Sequence, residues 1–163
     1  MNERKHTIAV LVNNQPGVLQ RVAGLFGRRG FNIESITVGE SEEPGLSRMV
    51  IVTVGDEHTL DQVTKQLYKL IDVIKVVNLS SHPMVARELA LIKINAEPGM
   101  RPEILGIVDT FRAAVVDIGP HTLIVQVVGD SDKIDAMVEL LKPYGIRELT
   151  RTGVTAMVRG SVH

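Results

Sequence analysis

At 163 residues, 44% hydrophobic and 23% charged, the chain is globular and has room for one ordinary domain or two small ones. A formal net charge of -1, with no helix that gathers Lys and Arg on one face, argues against nucleic acid as a primary partner, and the lack of cysteine excludes disulfides and thiolate metal sites. No apolar stretch backs the opening Met-Asn-Glu-Arg-Lys-His, and the longest apolar runs, such as Ile8 to Val12, are too short to span a bilayer; a soluble cytoplasmic protein without membrane contact is expected.

Thr7 to Val12 is a short β-branched run that ends in Asn13-Asn14-Gln15-Pro16-Gly17, the turn chemistry of a strand passing into a helix. Val18, Leu19, Val22, Ala23, Leu25 and Phe26 recur at helical spacing, and Gly30 follows Arg28 and Arg29 as a C-terminal cap. Phe31 to Val38 and Ser47 to Val54 predict two strands joined by the polar segment Gly39 to Gly45. Asp56 is placed to cap a second helix with the stripe Leu60, Val63, Leu67, Leu70 and Ile71, and Val73 to Leu79 completes the order βαββαβ.

The same order then begins again. Leu89 to Asn95 is a strand, Glu97-Pro98-Gly99 a turn, and Ile104, Leu105, Val108 and Phe111 a helix stripe. Pro16-Gly17 matches Pro98-Gly99, Val54-Gly55-Asp56 matches Val128-Gly129-Asp130, and Leu60-Asp61 matches Ile134-Asp135. The offset shortens because the second hairpin turns at Gly119-Pro120-His121 and lacks the Glu-rich loop. The expected fold class is α+β, with two ferredoxin-like βαββαβ halves, each an antiparallel four-stranded sheet with two helices on one face. The boundaries read as 1–79 for the first domain, 80–86 for a linker containing Ser80-Ser81-His82-Pro83, and 87–163 for the second. Each half is small enough for its core to be marginal, and strand two is an aggregation-prone edge if left unpaired. A homodimer joined edge to edge answers both problems.

Asn32 to Val38, Leu46-Ser47-Arg48-Met49, Val54-Gly55-Asp56 and Gln66 to Val73 resemble the acetolactate (acetohydroxyacid) synthase small-subunit family, and Arg87 to Ile94 with Phe111-Arg112 carries the resemblance into the second half. It implies an N-terminal ACT domain that dimerises and binds an effector, with an ACT-like C-terminal domain. It also implies a non-catalytic regulatory role: activating a thiamine-diphosphate-dependent catalytic subunit and making it sensitive to valine, or another branched-chain amino acid, in branched-chain amino acid biosynthesis. No cofactor is expected in this chain; thiamine diphosphate, Mg and FAD are expected in the catalytic subunit.

Candidate effector residues follow from that resemblance together with turn chemistry. Asn14 and Gly17, with Val18 and Leu19 behind them, lie where free backbone N–H groups at a helix start can receive an α-carboxylate. The alternative is an Asn and a Gly that only shape the turn. Asn32 can offer its amide to the ligand, with Ile33 as apolar lining; the alternative is a strand-edge Asn satisfying a local N–H. Strands one and two run parallel in this fold, so Asn14 and Asn32 fall at opposite ends of one sheet, roughly 20 Å apart. Only a two-fold axis normal to an edge-joined sheet brings the two groups together, and the effector site is expected to span the dimer.

Arg48 reads as a solvated or ion-paired edge residue, and Gly24, Gly27 and Gly30 as close packing and capping rather than a phosphate loop. His6, His58, His82, His121 and His163 lack ligand spacing, Asp130 and Asp132 suit a helix cap, and no nucleophile, base and acid fall in a recognisable order. No metal site is expected. An RNA-binding βαββαβ module needs aromatics on its central strands, which Thr7 to Val12 and Ser47 to Val54 lack. A small ferredoxin-like enzyme lacks its acid and base. The remaining alternative is a tandem ACT-domain amino-acid sensor acting on a different enzyme or on transcription.

Overall fold

The computed structural model describes residues 4–161, so His163 lies outside the described residues. In chain order the elements are β1 (Arg4–Asn13), α1 (Val18–Arg28), β2 (Asn32–Glu40), β3 (Leu46–Gly55), α2 (Glu57–Tyr68), β4 (Val73–Asn78), β5 (Met84–Asn95), α3 (Arg101–Thr110), β6 (Ala114–Ile118), β7 (Thr122–Gly129), α4 (Ser131–Leu141), β8 (Ile146–Arg151) and β9 (Thr155–Val158). They form two compact units: 4–85 together with 154–161, and 86–153.

In the first unit the sheet runs β2-β3-β1-β4, antiparallel throughout. Strand periodicity sends Ile8, Val10 and Val12 of β1 and Met49 and Ile51 of β3 to one face. There they meet Val22 and Phe26 of α1 and Leu60, Val63 and Leu67 of α2 in a closed core. Phe26 and Phe31 meet edge to face, with ring centroids 6.1 Å apart. Asp56 accepts the Thr59 N–H at 2.8 Å and caps α2, as its position predicted. Ile71 departs from its predicted stripe: α2 ends at Tyr68, and Ile71 is 92% exposed on the loop behind it.

The opposite face of this sheet is covered as well. Ala9, Val50 and Val52 point away from the helices yet are buried. The chain's last segment lies against that face: Ala156 is buried, and the Val154 carbonyl accepts from Thr37 Oγ1 at 3.3 Å. The Arg159 N–H donates to the Pro83 carbonyl at 2.9 Å, while β9 pairs with β5. Residues 154–161 therefore pack with the first unit, although the sequence placed them with the second half. Two-sided burial explains why β1 is a nearly continuous apolar run rather than a strict alternation. The expected linker is also ordered, with a 3-10 turn at Leu79–Ser81 and β5 starting directly after Pro83.

The second unit repeats the plan with the order β6-β7-β5-β8. Ile92 and Ile94, Val125 and Val127, Ile104, and Ile134, Met137 and Leu141 make its core, and Asp130 caps α4 by accepting the Lys133 N–H at 2.9 Å. Leu105, expected on the buried stripe of α3, is 42% exposed. The repeat extends to single hydrogen bonds. Asn13 N–H to Asp72 O corresponds to Asn95 N–H to Gly145 O, Asn14 N–H to Gly45 O to Ala96 N–H to His121 O, and Phe31 N–H to Phe26 O to Ala113 N–H to Val108 O. Each pair of donors is 82 residues apart.

The same offset carries Gly30 (φ 71°), which closes α1 in the left-handed region, onto Arg112 (φ 52°), the one non-glycine residue at positive φ among those described. A left-handed L-residue costs about 1–2 kcal/mol, against about 0.5–1 kcal/mol of extra chain entropy for glycine. Arg112→Gly should therefore stabilise the second unit by about 0.5 kcal/mol. Chemical denaturation of the full chain will show this as a raised midpoint at an unchanged slope.

Candidate effector-binding site

β1 ends at Asn13, and the turn that follows is fastened from both sides. Asn13 N–H donates to Asp72 O (2.9 Å), Asn14 N–H to Gly45 O (2.8 Å) and Gln15 N–H to Asn13 O (3.0 Å). The Asn14 backbone N–H is thus occupied, contrary to the expectation that it was free for a ligand. Gly17 takes the N-cap position of α1 at φ 83°, with no side-chain cap and no acid in the first turn. Val18 N–H reaches Gln15 O at 3.3 Å, and the first-turn N–H groups of Leu19 and Gln20 have no acceptor among the described residues. A helix start left open in this way attracts an anion.

The side chains divide sharply. Val18 is 4% exposed and belongs to the core, which removes its side chain from ligand contact. Leu19, 44% exposed, presents apolar surface beside the turn. The Asn14 side chain is exposed and makes no hydrogen bond among the described residues, so it is not tied up in shaping the turn. Arg21, one helical turn on from Gly17, was not singled out from the sequence. Its Nε and Nη2 donate to Asp72 Oδ2 at 3.0 and 2.6 Å. Its Nη1 lies 3.0 Å from where a Cβ on Gly17 would be. The i, i+4 spacing from the turn glycine was the available signal.

Asn32 opens β2, the edge strand. Its carbonyl accepts from Thr53 Oγ1 at 2.6 Å, while its amide is exposed and uncommitted among the described residues. Ile33 is half-buried against the first core. Registration fixes the distance to the turn: Asn32 pairs with Val54 and Asn13 with Leu46, eight residues apart along β3, or about 27 Å at strand rise. One chain does not bring the two groups of candidates together.

The other candidates resolve into structural roles. Arg48 is ion-paired with Glu42 at 2.8 Å, a contact that holds the Glu42 carboxyl down at about 2. Gly30 closes α1, whereas a Cβ on Gly27 would meet nothing within 4 Å, so close packing does not account for that glycine. His6 is buried with Nε2 2.9 Å from the Gly55 carbonyl, and His121 lies 3.0 Å from Glu97. Among the described residues no three His, Cys, Asp or Glu side chains gather as metal ligands.

Comparison with known proteins decides the family. Residues 8–75 match the model of the AHAS small subunit-like ACT domain, and residues 87–160 match the model of the small subunit of acetolactate synthase. The chain belongs to the acetolactate synthase small-subunit family. It is 57% identical over 162 residues to the "Probable acetolactate synthase small subunit" of Methanothermobacter thermautotrophicus, covering 99% of this chain and 96% of that one. With the acetolactate synthase small subunit of Bacillus subtilis it shares 52% identity over 158 residues, 96% of this chain and 92% of the relative. The crystal structure of the small subunit from Thermotoga maritima superposes with a TM-score of 0.90 at 45% identity, over 98% of this chain and 99% of that one. As a regulatory small subunit the chain implies a large catalytic partner, and among its described residues no helix is long and apolar enough to cross a membrane.

Proposed function

We propose that this small subunit works as a non-catalytic homodimer that binds valine, or another branched-chain amino acid, between its two ACT domains. It raises the activity of its thiamine-diphosphate-dependent catalytic subunit and transmits feedback inhibition to it. Thiamine diphosphate, Mg and FAD belong to that partner, and the complex works in the cytoplasm.

The observation that carries this reading is the placement of two uncommitted amides, Asn14 and Asn32, at opposite ends of a sheet whose edge strand is β2. Glu40 lies level with Asn13, since the two pair with the neighbouring residues Ser47 and Leu46 of β3. Antiparallel joining of two β2 edges sets the Glu40 end of one chain beside the Asn32 end of the other, and with it the open start of α1. An amino acid held there has N–H donors for its carboxylate, amides on both sides and Leu19 against its side chain.

The test is the activity of the cognate catalytic subunit with and without this chain, titrated with valine, leucine and isoleucine. Activation without the chain's own turnover, followed by inhibition on adding one of the three, is expected. Turnover by the purified chain alone, or an unchanged partner at every effector concentration, contradicts it.

A further inference from the structure

We propose that the Arg21 guanidinium, set in place by Asp72, is the charged contact that reads the carboxylate of the effector, and that the second unit, where an acid stands instead, has no matching site. The proposal rests on the effector site described above.

Three observations converge on Arg21. Two of its nitrogens are committed to a single oxygen of Asp72, a mostly buried carboxylate whose own backbone carbonyl anchors Asn13. The third, Nη1, has no partner among the described residues and hangs 3.0 Å from the Cβ position of Gly17, beside the open N–H groups of Leu19 and Gln20. A carboxylate seated on those N–H groups lies within reach of a donor already fixed in direction, so little side-chain freedom is lost on binding.

Helix electrostatics do not explain the residue. The positive end of a helix favours acids, and α2, α3 and α4 carry Glu57, Glu103 and Asp132 in their first turns. α1 has no acid there, and Arg21 reaches back over its N-cap.

The internal repeat supplies the control. The 82-residue offset that superposes the backbone hydrogen bonds carries Gly17 onto Gly99, Asn14 onto Ala96 and Arg21 onto Glu103. Glu103 accepts from the Tyr144 hydroxyl at 3.0 Å, and among the described residues no side chain reaches within 4 Å of the Cβ position of Gly99 as Arg21 reaches that of Gly17. The turn itself also differs: Gly17 caps α1 from the left-handed region, whereas Gly99 lies in a 3-10 turn, Pro98–Met100, and α3 begins at Arg101. Arg21 brings a positive charge to the start of α1, where the first turn of α3 carries the negative charge of Glu103.

Calorimetry on the full chain with L-valine and with L-valine amide, which lacks the carboxylate charge, separates the possibilities. Wild type should bind valine at no more than one per chain and discriminate strongly against the amide. Arg21→Gln should weaken valine by about ten- to a hundredfold while leaving the amide unchanged, and Arg21→Lys should recover part of the loss. Asp72→Asn, which frees the guanidinium, should weaken valine by a smaller factor. Unchanged valine affinity in Arg21→Gln overturns the proposal, as does an equal loss for valine and amide, which would make Arg21 a prop for the turn. Binding of two valines per chain overturns the clause about the second unit. Absence of binding of valine, leucine and isoleucine alike by wild type would instead overturn the effector reading itself.

Discussion

Replacing Glu88 by alanine is expected to destabilise the second unit by about 3 kcal/mol. Glu88 is 5% exposed at the start of β5 and accepts from Ser131 Oγ (2.6 Å), Arg151 Nη2 (2.9 Å) and Arg151 Nε (3.2 Å). Arg151 in turn reaches Asp135 at 2.6 Å, so one network fastens β5, β8 and α4. Burial alone pushes the Glu88 carboxyl up, but the hydrogen bonds from Arg151 and Ser131 outweigh it and hold the carboxyl below the usual range. A depressed folded-state pKa contributes stability that is present above the unfolded value near 4.5 and is lost as pH falls through the folded value. Arg151→Met should cost about 3–5 kcal/mol by stranding the carboxylate, whereas Glu88→Leu combined with Arg151→Met should lie much closer to wild type. Thermal unfolding of the three variants between pH 3 and 7 checks this, with the acid limb of the stability curve flattened in both variants that lack Glu88. A single-variant loss of no more than about 0.5 kcal/mol would show that water rather than the network satisfies Glu88.

Asn14→Ala, Gly17→Asp and Asn32→Ala are each expected to abolish feedback inhibition while leaving activation of the catalytic subunit in place. The two amides are exposed and uncommitted among the described residues, so their loss removes ligand contacts worth about 1–3 kcal/mol, roughly ten- to a hundredfold in affinity, without disturbing the fold. Gly17→Asp should act more strongly. It puts a side chain into a backbone at φ 83°, within 3.0 Å of Arg21 Nη1, and its carboxylate takes the place proposed for that of the ligand. Activation should survive, because on the proposed function it depends on the surface offered to the partner, and inhibition on the ligand. Effector calorimetry beside partner activity is the check. Wild-type affinity in all three refutes the assignment, and joint loss of activation and inhibition means that these residues hold the dimer together.

Much of this fold is legible in the apolar periodicity. Ile8, Val10 and Val12, Val22 and Phe26, and Leu60, Val63 and Leu67 all fall inward as their spacing predicts, and Asp56 and Asp130 cap the helices they precede. The misses have physical causes. Ile71 and Leu105 are apolar residues in helical phase, but α2 stops three residues before the first, and the second faces solvent because α3 packs through Ile104 and Val108. β9 is four residues long and has no pattern of its own; its trace lies in β1, whose two-sided burial needs a cover that local sequence does not name. Val18 was expected among the effector residues, but its side chain completes the core while the helix start beside it stays open. Arg21 was hidden because its setting depends on Asp72, brought to it by the fold from the turn that precedes β4.

An effector site built from the turn of one chain and the β2 start of another is tested most directly by mixed dimers. Asn14→Ala and Asn32→Ala homodimers each carry two damaged sites. A dimer of one chain of each kind has one site with both amides lost and one with both intact. Unfolding and refolding the two variants together, followed by valine calorimetry, should restore wild-type affinity at one site per mixed dimer. A mixture that binds valine no better than either variant alone would place both amides in the same chain's site and contradict a site shared between chains.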